Sequence, residues 1–281
     1  MSSAWCGLSW SPWCGLLERG LPNIPRTAGL YRVRRIGSAD LMYVGQTGLS
    51  LVGRLQQLRA GLQWDEMPFD DPHTCTPNLW CYRVEDGAEY EVSATKFDSR
   101  KEDRLALECY VLWQYRLARG ESTLCNFGHF HIGFSKSKNR KVGVRGARLE
   151  TPRDARVSMP PLQPRGKWSD TDWMGLAWSE WTTLNRKEVS SSPAMPGLYR
   201  IKDDSDLLYI GESESLKPRL LNHLSRFQYG MVSYVQVNGC AATQRHELES
   251  DLIGATYSEL DRAPLRQFGV LTTLTHTDSG P

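Results

Sequence analysis

A chain of 281 residues, 40% hydrophobic and 23% charged, has room for one large domain or two ordinary ones and is too apolar for disorder to be its main state. Its 34 Lys and Arg against 32 Asp and Glu give a formal charge of +2, so nucleic acid or an anionic membrane must be met by a local patch rather than by bulk attraction. No window approaches the roughly 18 uninterrupted apolar residues of a membrane helix, and MSSAWCGLSWSPW lacks the basic start and apolar core of a signal peptide, so no membrane partner and a cytoplasmic (intracellular) location are expected.

The first patterned segment is LSWSPW at 8–13, followed by GLYR at 29–32. Strand-like runs at 29–36 and 41–45 flank the polar turn Gly37-Ser38-Ala39-Asp40 and predict a hairpin. A helix carrying Arg54 should follow. Ser99 and Glu102 have capping-box spacing ahead of a second helix over 105–117, which carries Glu108, and Asn126-Phe127-Gly128 comes after it. Residues 135–167 hold ten Lys or Arg against Glu150 and Asp154 and include four prolines, which predicts an extended basic linker.

Beyond the linker the pattern begins again. LAWSEW at 176–181 and GLYR at 197–200 repeat the opening at an offset of 168, and LLYIGES at 207–213 parallels LMYVGQT at 41–47. Arg219 then matches Arg54, Glu249 matches Glu108, and Gln267-Phe268-Gly269 matches Asn126-Phe127-Gly128. The turn of the second hairpin is the acidic stretch 203–206. Ser215 is placed to cap the next helix with Pro218 in its first turn, and Leu220, Leu221, Leu224 and Phe227 form its apolar face. Arg219 and His223, four apart, share one side of that helix. Thr243 is placed to cap the last helix, which should end before Pro264.

The arginine-to-glutamate spacing is 54 in the first copy and 30 in the second, so the first carries 24 extra residues, placed within 64–91. The expected organisation is a first unit over 1–134, a basic linker over 135–167 and a second unit over 168–281. The seven cysteines show no close pairing of the zinc-site kind and are expected to be reduced packing residues. His129 and His131 read as strand alternation, and His73 with Cys75 and Cys81 as a loop, rather than as metal ligands. Trp10, Trp13, Trp178 and Trp181 recur in register and predict a shared structural leader.

The order GLY, Y[VI]G, a helical arginine and a helical glutamate, found twice, resembles the GIY-YIG nuclease superfamily. The resemblance implies an α/β (α+β) fold of two units, each a small, mainly antiparallel sheet flanked by helices. It makes Tyr31 and Tyr199 the tyrosines of GIY, Tyr43 and Tyr209 those of YIG, Arg54 and Arg219 the phosphate-facing arginines, and Glu108 and Glu249 the carboxylates for Mg²⁺ or Mn²⁺. Asn126 matches the family's late, site-supporting asparagine, and Gln267 stands in its place in the second copy. His223 matches a proton-handling position four residues after the arginine, where the first copy has Leu58.

The chemistry suits these residue types. Phosphodiester hydrolysis needs a deprotonated water and positive charge where the phosphorane gathers negative charge. Arginine meets the second need with a permanently charged planar fork, and one carboxylate with waters is an ordinary way to hold Mg²⁺ beside a phosphate. A tyrosine can act as base only if its phenol is pulled down by a cation. The expected activity is therefore metal-dependent cleavage of DNA, with the second copy the better-equipped centre; the alternative is a DNA-binding or scaffold module without turnover. Lys136, Lys138, Arg140, Lys141, Arg145 and Arg148 of the linker are expected to contact the DNA backbone by counterion release, since the linker contains no aromatic residue for base stacking.

Overall fold

The computed structural model describes residues 2–18, 20–69, 75–137, 144–155, 157–227 and 229–269. It is an α+β structure built on two four-stranded antiparallel sheets flanked by helices. In the first unit, β1 (Cys14–Gly15), β2 (Gly29–Arg35), β3 (Leu41–Thr47) and β4 (Tyr90–Lys96) take the order β1-β4-β2-β3, with helices α1 (Leu51–Leu62), α2 (Thr76–Asp86) and α3 (Lys101–Arg119). The second unit repeats this with β5 (Thr182–Thr183), β6 (Gly197–Lys202), β7 (Leu207–Ser213) and β8 (Met231–Gln236) in the order β5-β8-β6-β7. Its helices are α4 (Arg186–Ser190), α5 (Leu216–His223) and α6 (Ala242–Leu260). Both predicted hairpins are present, and α2 occupies the stretch expected to hold the 24-residue insertion. No described helix is long and apolar enough to cross a membrane.

Period-two alternation sets each sheet's two faces. Tyr31 faces Gly45 across the β2–β3 pair and Tyr199 faces Gly211 across β6–β7, which puts both tyrosines on the face covered by α1 in the first unit and α5 in the second. Arg32 and Arg200, one residue on, point the other way.

Three expected helix starts differ in detail. Helix α3 begins after Arg100, which pairs with Asp103 at 2.8 Å, so the Ser99–Glu102 capping box does not form. Helix α6 begins after Ala241, whose N–H donates to Gln244 Oε1 at 2.9 Å, and Thr243 lies inside the helix. Ser215 holds the N-cap position of α5 without a side-chain cap bond. The alternation at His129 and His131 is not a strand. His129 sits in a turn with its N–H on Asn126 O and its ring Nε2 2.7 Å from Glu247, and His131 packs edge-on against Tyr82.

The units meet through α3 and α6, which run antiparallel: Asp103, Tyr110 and Arg116 lie against Ala263, Tyr257 and Asp251. A shift of 141 residues carries Tyr110 onto Asp251 and Arg116 onto Tyr257, so these two contacts are one contact with the partners exchanged, as across a two-fold axis. Gly254 permits the close crossing, because a Cβ there would stand 2.8 Å from the Cys109 carbonyl oxygen. One apolar core runs through the seam, from Trp10 and Leu30 to Leu252 and Ala263.

The linker is threaded through this seam. Met159 N–H donates to Glu247 at 2.7 Å and Leu162 N–H to Asp251 at 3.0 Å, while Arg116 donates to Met159 O and Trp113 to Leu162 O. Arg116, Glu247 and Asp251 are fully buried together, which satisfies their charges where each alone would be costly.

Candidate active site

Four of the expected residues of the second unit converge on one spot. Tyr199, on β6, is fully buried; Arg219 Nε donates to its hydroxyl at 3.0 Å, and that hydroxyl lies 2.8 Å from His223 Nε2. With Arg219 as donor, the phenol hydrogen goes to His223. Tyr209 stacks on Tyr199 at 6.0 Å between ring centroids and meets the tilted His223 ring at 5.2 Å, with its hydroxyl in reach of Arg219. A Cβ at Gly211 would overlap the Tyr199 hydroxyl and Cζ, so only glycine lets the phenol lie flat across β7. One helical turn separates Arg219 from His223 on α5, which explains why both reach the same hydroxyl.

Glu249 enters from α6, close enough to count among the groups raising the Tyr199 phenol. Its side chain is 22% exposed and lies 3.7 Å from His246 Nδ1. Burial raises the Tyr199 phenol above its ordinary value, and Arg219 opposes that rise. Burial, then the charges of Arg219 and Arg226, push the His223 imidazole down to about 4, so it is a neutral proton acceptor near pH 7.

The first unit brings Tyr31, Tyr43, Arg54 and Glu108 together in the same way, with the two tyrosine rings 6.0 Å apart and Arg54 beside the Tyr31 phenol. Two features change it. Leu58, fully buried, stands where His223 does. Helix α2 and the segment ahead of it close over α1, putting Met67, Cys75 and Leu79 into the core that holds Tyr31 and Leu58, with Cys75 beside the Tyr31 phenol. Burial drives that phenol well above its usual value and pushes the Glu108 carboxyl up to about 8, against the pull of Arg54 and Arg104. The second unit has only residues 224–230 between α5 and β8, and among the described ones no helix covers its centre from that connection.

Asn126 and Gln267 do the same work despite their different lengths. Asn126 accepts from Val44 N–H at 3.0 Å and donates to Val44 O at 2.9 Å; Gln267 makes the same pair with Ile210, both at 2.8 Å. Each amide replaces the missing neighbour of an edge strand, fixing the residue that precedes Gly45 or Gly211.

Sequence reasoning passed over Arg32 and Arg200. Arg200 is fully buried, with its guanidinium 4.4 Å from the Trp178 ring centroid, 4.6 Å from Trp181 and 5.7 Å from Trp173. Arg32 repeats this at 4.4, 4.6 and 5.6 Å with Trp10, Trp13 and Trp5. Each also reaches a serine hydroxyl, Ser233 or Ser93, at 3.3 Å. The recurring tryptophans are thus a leader that cages an arginine behind the tyrosine face. The repeat of GLYR, not just GLY, was the available signal.

Of the linker residues expected at nucleic acid, Lys138, Arg140 and Lys141 lie outside the described residues. Lys136 donates to Gly128 O, Arg145 pairs with Glu66 at 2.8 Å and lies over Phe69, and Arg148 donates to Glu85 at 3.0 Å. These three charges are engaged with the first unit.

No family model, curated protein or solved structure matches the chain.

Proposed function

We propose that this chain is a divalent-metal-dependent DNA endonuclease whose working centre is in the second unit. The observation that carries this reading is the Arg219–Tyr199–His223 hydrogen-bond chain beside a partly exposed Glu249. Among the described residues no group of three or more His, Cys, Asp and Glu is arranged to hold an ion. The oxygen donors of Glu249 nevertheless fit Mg²⁺ or Mn²⁺, which take most of their ligands from water and substrate phosphate. A bound ion there supplies positive charge at the phosphate and a more acidic water.

The protein's own groups do the rest. Arg219 turns its fork onto the phosphate as negative charge develops, and in doing so uncovers the Tyr199 hydroxyl. Tyr199 takes the proton of the attacking water while passing its own to His223, so a full phenolate is never required. The concerted transfer avoids a free phenolate, which burial disfavours, and leaves the charge on His223 as an imidazolium. The first unit has the frame of this centre with Leu58 in place of the histidine, and α2 lies over it.

The second reading, a DNA-binding or scaffold module without turnover, draws on the full burial of Tyr199. A supercoiled plasmid with Mg²⁺ separates the two. Conversion to open circles, abolished in Glu249→Ala and kept in Glu108→Ala, supports a single working centre. Equal loss in both variants overturns the asymmetry, and binding without any metal-dependent cleavage selects the module.

A further inference from the structure

Resting on the nuclease reading, we infer that Arg226 and Arg266 form a second phosphate site, which holds a backbone phosphate of the nucleic acid near the one at Arg219. The two arginines are tied to each other through the main chain: Arg226 donates to Arg266 O at 2.9 Å and Arg266 to Arg226 O at 3.3 Å. Arg226 also reaches Gly269 O at 3.4 Å. Both guanidinium groups lie against the aromatic wall of the candidate centre, Arg226 at 5.0 Å from the Tyr209 ring centroid and Arg266 at 5.7 Å from that of Phe227.

The segment carrying Arg266 is fixed to β7. Leu265 N–H donates to Leu207 O at 3.1 Å, Arg266 N–H to Leu208 O at 2.8 Å, and Gln267 clasps Ile210. The pair therefore keeps its place relative to Tyr209 before any ligand arrives, which lowers the ordering cost of binding.

Charge accounting points to an anion. Two arginines of this unit have acids: Arg245 has Glu212 at 2.6 Å, and Arg262 has Asp206. Among the described residues neither Arg226 nor Arg266 has a carboxylate within 4.0 Å; Asp203, whose carboxyl feels the Arg266 charge from farther off, is bonded in its own turn by the N–H groups of Ser205 and Asp206. Two like charges on neighbouring segments favour an anion that meets both. Each guanidinium has five N–H donors and uses only part of them on these carbonyls, leaving a fork suited to phosphate oxygens. The first unit has Gly61 and Cys125 at the corresponding positions, so the pair belongs to the unit that carries His223.

The test is equilibrium binding of a 5′-labelled DNA duplex of about 20 base pairs, with metal chelated, over a range of salt. Arg226→Ala with Arg266→Ala should weaken binding at least tenfold and lower the slope of log K against log salt by about 1 for each phosphate that is no longer neutralised. Arg226→Gln with Arg266→Gln retains donors to the carbonyls and should give the same loss of slope without a change in melting temperature. Tight binding by the unsubstituted protein with an unchanged slope in both double variants overturns the inference and leaves the nuclease reading standing. Absence of any binding by the unsubstituted protein overturns both.

Discussion

Tyr199 shares a 2.8 Å hydrogen bond with His223, whereas the first unit has the buried Leu58, a side chain with no polar atom, at that helix position. This difference is the clearest chemical asymmetry between the units. His223→Leu copies the first unit's residue into the second and removes the proton acceptor while keeping an apolar filler of similar bulk. Nicking should fall by about 10² or more, the ordinary worth of general acid–base help, while stability falls by about 1–3 kcal/mol because the buried Tyr199 hydroxyl loses its acceptor. Unchanged nicking by a folded variant would show that His223 only packs.

The Glu108 carboxyl gives a prediction about pH. Its pKa in the folded chain, about 8, lies above the ordinary 4.5. Below 4.5 the folded and unfolded chains are both protonated here. As pH rises towards 8 the unfolded chain loses its proton first, so stability is progressively lost. Glu108→Gln removes that penalty: it should be close to neutral at pH 4.5 and stabilising by roughly 5 kcal/mol at pH 9. Denaturant midpoints at the two pH values check this, and a parallel shift at both would show that ionisation is not the cause.

Much of the fold was legible because the chain states it twice. The hairpins, the helices carrying Arg54, Arg219, Glu108 and Glu249, and the position of the insertion all follow from spacing and repeat. What the insertion does was not legible: that α2 closes over Tyr31 depends on where Cys75 and Leu79 pack, and local pattern carries no such information. The linker's composition suggested a free basic spacer, yet Glu247 and Asp251 hold its main chain in the seam through backbone N–H groups, which have no sequence signature. Two helix starts were missed because Ser99 and Thr243 are good caps by residue type, while neighbouring Arg100 and Gln244 make the bonds that form; Ser215 does hold its N-cap position.

The two amides allow a paired comparison. Asn126→Ala and Gln267→Ala each strand a buried backbone N–H and C=O on an edge strand, at a cost of about 1–3 kcal/mol for an unpaired group. Both should lower stability in urea by a similar amount. Only Gln267→Ala should also slow nicking, because Ile210 precedes the glycine under Tyr199. Exchange to Gln267→Asn should recover less than the native residue, since the shorter arm must shift to reach Ile210.

The caged arginines should be more sensitive to chemistry than to charge. Arg200 presents a plane to Trp178 and Trp181 and also bonds Ser233 and the Asp170 carbonyl, at 2.9 Å for the latter. Burial lowers its guanidinium to about 9, a measure of the cost of keeping a cation there. A lysine keeps the charge but offers a point donor that neither stacks on both rings nor spans Ser233 and the carbonyls. Arg200→Lys should therefore destabilise by about 2–3 kcal/mol, and Arg200→Met, which fills the cage without a buried charge, should destabilise less. Urea unfolding of the two variants decides it: a lysine variant as stable as the native chain would mean that charge alone matters, and that the tryptophans only pack.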